Sequence, residues 1–97
     1  MARPVLLNDE KLNDLISELP LWVHEGKTIV REIVAANFAA AIGIVNSIAV
    51  LAETADHHPD ILIYGWNKIR ISLSTHDRGG LTKLDFELAD KIDKLNF

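Results

Sequence analysis

The residues best able to do chemistry in this chain are its four histidines, His24, His57, His58 and His76. Two of them stand together in the run Glu53-Thr54-Ala55-Asp56-His57-His58-Pro59. Imidazole titrates near pH ~6.5 and can give or take a proton at neutrality, so grouped histidines suit general acid–base work. Carboxylates at Glu53, Asp56, Asp77 and Asp85 accompany them. Glu53 precedes His57 by four, a spacing that shares a helix face, and this predicts that Glu53 orients His57. Two other readings stay open on residue type alone. The histidines could be exposed loop residues with incidental acidic neighbours, because the step from residue type to site is probabilistic. Three imidazoles could also hold a catalytic zinc ion, although there is no helical His-x-x-x-His pair and adjacent residues seldom aim both rings at one ion. Without cysteine, disulfides, thiolate metal sites and cysteine nucleophiles are excluded. Gly79-Gly80 lacks the Lys-Ser/Thr of a phosphate loop and reads as a turn. Trp22 and Trp66 read as core or rim residues, with a stacking role open to one of them. His24, alone in a strand, reads as structural or solvated.

Side chains of this kind need rigid elements to fix them. Asn8 can cap a first helix, with Asp9 and Glu10 in the turn where the dipole favours negative charge. Leu12, Leu15, Ile16 and Leu19 follow at helical spacing until Pro20. Leu21–His24 and Thr28–Val34 are rich in strand formers and flank Glu25-Gly26-Lys27, the pattern of a β-hairpin. Asn37–Ala52 reads as a helix whose apolar residues occupy two faces. Phe38, Ile42, Val45, Ala49 and Ala52 form one, while Ile44, Ile48 and Leu51 spread onto another. Asn46 and Ser47 interrupt it, and it falls short of the roughly twenty residues a membrane span needs. Pro59 disfavours helix at the residue before it, so the helix is predicted to end near Asp56–His57. Both imidazoles would then stand at an open helix-to-strand junction. Ile61–Tyr64 predicts a short strand. From Lys68 to Thr75 the alternation is strict, with Ile69, Ile71 and Leu73 on one side and Lys68, Arg70, Ser72 and Ser74 on the other. His76 stands where that strand runs out. Arg78-Gly79-Gly80 is a turn, and Thr82-Lys83-Leu84-Asp85 resembles a capping box with Asp in place of Glu. Phe86, Ala89, Ile92 and Leu95 mark the buried stripe of a last helix. The expected fold is α+β, in the order α-β-β-α-β-β-α, with helices packed on one face of an antiparallel four-stranded sheet.

Ninety-seven residues are expected to form a single domain, 1–97, with a shallow site or one completed by a second subunit. Hydrophobic residues at 48% and charged residues at 25% describe a folded chain rather than a disordered one. A formal charge of −4 without a basic block argues against nucleic acid as a partner, and no membrane contact is expected. The N-terminal stretch Met1–Leu7 lacks the apolar core and cleavage site of a signal peptide, which leaves the cytoplasm as the expected compartment. A helix apolar on two faces must be covered on two faces, which predicts a homo-oligomer.

Several of these residues, taken together, resemble the signature of the pterin-4a-carbinolamine dehydratases. They are Glu53-Thr54-Ala55-Asp56-His57-His58-Pro59, Trp66 seven residues after the proline, His76 ten residues later, and Asp85. Ser74-Thr75-His76-Asp77, Gly79-Gly80-Leu81-Thr82, the upstream Trp22 and Phe38 opening a helix that ends in Ala52-Glu53 add to the likeness, which runs from about Leu19 to Ile92. The segment Ile63-Tyr64-Gly65-Trp66-Asn67 departs from the commoner, shorter one ending in Tyr-Asn. The resemblance implies dehydration of a 4a-hydroxytetrahydropterin to the quinonoid dihydropterin, the recycling step of an aromatic amino acid hydroxylase pathway. It implies His57 and His76 as the acid–base pair and His58 as the group that orients the flat pterin. Pro59, Ser74 and Thr75 would line the site, while Glu53, Asp56 and Asp85 hold tautomers or accept hydrogen bonds. The reaction already proceeds unaided, and positioned acid–base groups typically contribute ~10²–10⁴-fold, so neither metal nor organic cofactor is expected. Which histidine donates and which accepts stays open. The resemblance also implies a homodimer or homotetramer. The alternative it allows is a non-enzymatic protein-binding module, a dimerisation or assembly cofactor on the same fold.

Overall fold

A computed structural model describes residues 4–97. The expectation for the N-terminal stretch rests partly on Met1–Arg3, which lie outside the described residues. Helix α1 (Asp9–Ser17) starts where Asn8 accepts the Lys11 N–H at 2.8 Å, and it stops short of Pro20. Strands β1 (Val23–Glu25) and β2 (Thr28–Val34) form the predicted hairpin, with Glu25 opposite Thr28. β1 is displaced from the expected Leu21–His24, because the Trp22 N–H closes a turn onto the Leu19 carbonyl and delays pairing until Val23. Helix α2 (Phe38–Ala55) follows, capped by Asn37. Strands β3 (Asp60–Tyr64) and β4 (Lys68–Leu73), a short 3₁₀ turn (His76–Arg78) and helix α3 (Lys83–Asp93) complete the chain. The element order is α-β-β-α-β-β-α and the sheet order is β1-β2-β4-β3, antiparallel throughout.

Strand alternation sorts the sheet into two faces. Ile29 opposite Leu73, Ile33 opposite Ile69, and Ile61 opposite Ile71 put apolar side chains against the helices. The other face carries Glu32, Arg70, Lys68 and Tyr64 and no helix, and there Arg70 bonds both Glu25 and Glu32. Tyr64 donates to Glu32 at 2.9 Å, and this hydrogen bond raises the phenol above its ordinary pKa. Phe86, Ala89 and Ile92 are buried on α3 as expected, together with Leu88, while Leu95 is only half-buried. Trp22 is a core residue whose indole N–H reaches Asp93, and Asp93 also pairs with Arg31 at 2.6 Å.

Two expectations for α2 are corrected. The buried stripe is Ala41, Ile44, Ile48 and Ala52, at steps of three and four. Phe38, Ile42 and Ala49, expected to share a face with Ala52, are exposed instead, because packing against β4 and α3 selects the stripe one position round. The helix also has 18 residues at mean hydropathy 1.7, so by length and composition alone it could cross a membrane, contrary to the expectation that it is too short.

Candidate active site

The end of α2 determines where the paired histidines go. Asp56 adopts the left-handed conformation (φ 51°, ψ 43°), and two bonds close the helix behind it. The Asp56 N–H reaches the Glu53 carbonyl at 3.2 Å, and the His57 N–H reaches back to the Ala52 carbonyl at 3.1 Å. This is a Schellman closure with aspartate where glycine is usual. It reverses the chain before Pro59, so consecutive histidines face different surroundings. His57 turns inward and is only 8% exposed, whereas His58 remains in solvent.

Reversal at Asp56 also breaks the spacing rule that tied Glu53 to His57. Glu53 bonds His58 instead, with Oε1 and Nε2 at 2.7 Å. The partner of His57 is Asp85, whose Oδ1 lies 2.6 Å from Nε2. Asp85 is fully buried and accepts two further bonds on Oδ2, from the Thr75 hydroxyl and the Thr82 N–H, each at 2.9 Å. Thr82 and Asp85 do form the predicted capping box. The same carboxylate thus opens α3 and holds His57.

The turn after β4 brings these groups together. β4 ends at Leu73, two residues earlier than expected, and Thr75 then pairs with Gly80 in an isolated bridge. Gly79 takes φ 69°, which favours glycine, and a Cβ added at Gly80 would meet Leu6 Cδ2 at 3.0 Å. The Gly79-Gly80 pair is therefore a turn, as read, and it carries Thr82 back alongside Thr75.

A cleft of about 240 Å³ opens here, lined by Asp56, His57, His58, Ser74, Thr75, His76 and Asp77. His76 is exposed, with Nε2 4.0 Å from Asp60 Oδ2. Of the residues singled out from sequence, Asp56, His57, His58, Ser74, Thr75, His76 and Asp77 therefore share one surface. Asp85 stands behind His57, Glu53 touches the cleft only through His58, and Pro59 is half-buried outside the lining. Trp66 does not belong to the group. It is exposed at the β3–β4 turn with φ 59°, beyond the other end of β4, whose six residues span on the order of 20 Å. His24 is solvated and bonds the Gly26 carbonyl at 2.7 Å. A larger groove, about 770 Å³, lies between β2, α2 and the C-terminal residues. Its lining is mostly aliphatic and contains no histidine, so the smaller cleft is where the chemistry can happen. Among the described residues no three histidine or acidic side chains converge on a point that could hold a metal ion. Thr82 and Asp60 are the contributors that the sequence reading missed at this site. The Thr82-to-Asp85 capping spacing was the available signal for Thr82.

Fold and site together define a class: a small α+β protein with a buried histidine–aspartate pair at the rim of a histidine-lined cleft. The family described as "Pterin 4 alpha carbinolamine dehydratase" matches residues 5–95, and the chain belongs to this family. A protein of Roseiflexus castenholzii, provisionally named a pterin-4-alpha-carbinolamine dehydratase, is 46% identical over 93% of this chain and 96% of its own. One of Thermomicrobium roseum with the same provisional name is 43% identical over 98% of each chain. Among solved structures, a transcriptional coactivator/pterin dehydratase from Brucella melitensis superposes with a TM-score of 0.85 at 28% identity, over 92% of this chain and 96% of that one. A pterin dehydratase-like protein described as a RuBisCO assembly factor in the α-carboxysome shares the fold at TM-score 0.63 and 21% identity, over 74% of this chain and 84% of that one.

Proposed function

We propose that this protein dehydrates a 4a-hydroxytetrahydropterin to the quinonoid dihydropterin and water by histidine acid–base catalysis. One observation carries the reading: His57 is held through Nε2 by a buried carboxylate, in a cleft it shares with His58 and His76. The reaction breaks the carbon–oxygen bond at C4a. A proton must reach the leaving oxygen to form water, and one must leave the neighbouring ring nitrogen. His57 and His76 are assigned as the pair that moves these protons, because they enter the cleft from different elements, the end of α2 and the 3₁₀ turn. His58, steadied by Glu53, is assigned to binding and orienting the flat pterin. Neither step needs a redox group. A turnover assay on the purified protein tests the reading: carbinolamine generated in place by an aromatic amino acid hydroxylase should disappear faster than it does unaided.

A second reading is favoured by the outer face of α2. Phe38, Ile42 and Val50 are exposed there, and no charged residue lies between Asn37 and Glu53. Soluble monomers seldom leave such a face uncovered. We therefore also propose a homodimer or homotetramer built on this helix. The coactivator description of the Brucella melitensis relative agrees with a protein-binding role that could replace catalysis or accompany it. A stable oligomer without turnover would select that role.

A further inference from the structure

We infer that a second copy of the chain completes the cleft. β3 pairs antiparallel with β3 of a partner subunit about a two-fold axis at Leu62, and this sets the partner's Trp66 beside His58, where its indole covers a flat ligand. The nature of the ligand rests on the proposed function, while the pairing and the place of Trp66 do not.

The sheet order leaves β1 and β3 as edges. β1 has three residues, whereas β3 has five, Asp60-Ile61-Leu62-Ile63-Tyr64, in an unbroken ladder with β4. No described strand lies beyond β3, so one row of its N–H and C=O groups faces outward as a template for another strand. Natural edges are guarded by lysine, proline or a bulge. β3 has none of these, and its one charge, Asp60, stands at its first residue. Its side chains leave the edge clear, with Leu62 exposed and Tyr64 leaning back across the sheet to Glu32.

When two identical strands pair antiparallel, the two-fold axis falls at one residue. At Leu62 it uses the whole strand, setting Leu62 against itself, Ile61 against the partner's Ile63 and Asp60 against the partner's Tyr64; any other centre pairs fewer residues. The charges agree with this register. Lys68 stands opposite Tyr64 on β4, and its Nζ lies over the Gly65 turn, 3.1 Å from where a Cβ would stand. Among the described residues Lys68 has no carboxylate partner. Pairing brings that ammonium to the exposed carboxylate of Asp60 in the other copy, once at each end of the shared ladder. The contact uses a different surface from the outer face of α2, so each can form without the other.

Nothing within its own subunit accounts for Trp66. Gly65 and Trp66 make the two-residue turn between β3 and β4, with φ 53° and 59°. Asparagine and glycine suit these positions, and a bulky residue there is an outlier. Yet Trp66 is 62% exposed and, among the described residues, makes no hydrogen bond or ring contact. Antiparallel pairing exchanges the ends of the sheet. Beyond the partner's Tyr64, the partner's Gly65 comes level with Pro59 and the partner's Trp66 with His58. The indole then starts one or two strand spacings from His58, about 5–10 Å, instead of on the order of 20 Å from the cleft of its own subunit. His58 is the solvent-side histidine of the cleft, so an aromatic there closes the open side and stacks on a flat heterocycle.

The chain has no cysteine, so single cysteines in the full chain report the contact directly. Leu62→Cys should form a disulfide-linked dimer on mild oxidation, because residues facing across the axis lie within the ~4.4–6.8 Å that a disulfide spans. His58→Cys and Trp66→Cys chains, co-expressed, should be joined to each other by a short bismaleimide. Neither should join to itself, because like positions lie at opposite ends of the paired strands. A Leu62→Cys protein that stays unlinked, or a mixture that links no better than its separate chains, would overturn the proposal. Kinetics form the second arm. Trp66→Ala should raise KM roughly 5- to 150-fold, the worth of stacking one flat base, with kcat little changed. Co-expressed with His57→Ala, it should recover about a quarter of wild-type activity at low substrate, from pairs in which one cleft has both groups. An unchanged KM, or a mixture no more active than its parts, would overturn the role of Trp66. The expected linkages in a protein whose wild type shows no turnover would leave the assembly intact and remove the proposed function.

Discussion

Replacing Asp85 by asparagine probes the buried pair with almost no change of shape. Two donors converge on Oδ2, and one of them, the Thr82 N–H, belongs to the backbone and cannot turn away. The asparagine carbonyl must therefore occupy that position, which places the amide N–H₂ 2.6 Å from His57 Nε2. Two donors cannot share that contact. Nε2 must then accept from the amide, so a neutral His57 carries its proton on Nδ1, the nitrogen not held at position 85, which can donate but not accept. Losing one positioned acid–base group lowers the rate by ~10²–10⁴-fold, or about 3–5 kcal/mol of barrier. Stability should change far less, because each hydrogen bond is remade and only its charge-assisted part is lost, about 1–2 kcal/mol. For a domain of this size that lowers Tm by roughly 4–16 °C. Steady-state kinetics with a thermal melt on the same sample would measure both. An Asp85→Asn protein that folds and keeps kcat within threefold of wild type would refute the reasoning.

Other outcomes follow from the same geometry. His57→Ala and His76→Ala should each lower kcat by roughly 10²-fold or more, while His58→Ala should mainly raise KM, as steady-state kinetics would show. Exhaustive chelation should leave activity unchanged; loss on chelation with recovery on adding Zn²⁺ would instead favour a metal mechanism. Ile44 and Ile48 are buried inside the protomer, so Ile42 and Val50 are the positions that test the outer face. Ile42→Lys or Val50→Lys should dissociate the oligomer in sedimentation equilibrium with Tm of the protomer largely kept, whereas wild type sedimenting at 10.8 kDa would exclude an oligomer.

The features legible in the sequence are those set by near neighbours. Asn8 and Asn37 cap helices, Thr82 and Asp85 box another, and the alternation from Lys68 to Leu73 predicts the buried face of β4. The grouping of His57, His58, His76, Ser74 and Thr75 is what the resemblance to the family's signature implies, and the ends of α2 and β4 bring these residues to one cleft. What stayed hidden depends on one backbone angle and on distance along the chain. Nothing in Glu53-Thr54-Ala55-Asp56 announces a left-handed aspartate, yet that conformation reassigns Glu53 from His57 to His58. Asp85 lies 28 residues from His57, and its capping role masked its second one. Trp66 fitted a motif by spacing alone, and the hairpin carries it to the far end of the sheet. The faces of α2 were misread because nearly every position is apolar or small, so periodicity could not say which stripe the sheet would take.

The central claim is that the His57–His76 cleft dehydrates a pterin carbinolamine. It is tested most directly by single-turnover kinetics, in which the loss of 4a-hydroxytetrahydropterin is followed with increasing amounts of wild type and of the His57→Ala/His76→Ala double variant. The account predicts a rate that rises in proportion to wild-type protein and stays at the spontaneous value with the double variant. A wild-type rate equal to the spontaneous one, or a double variant as fast as wild type, would contradict it.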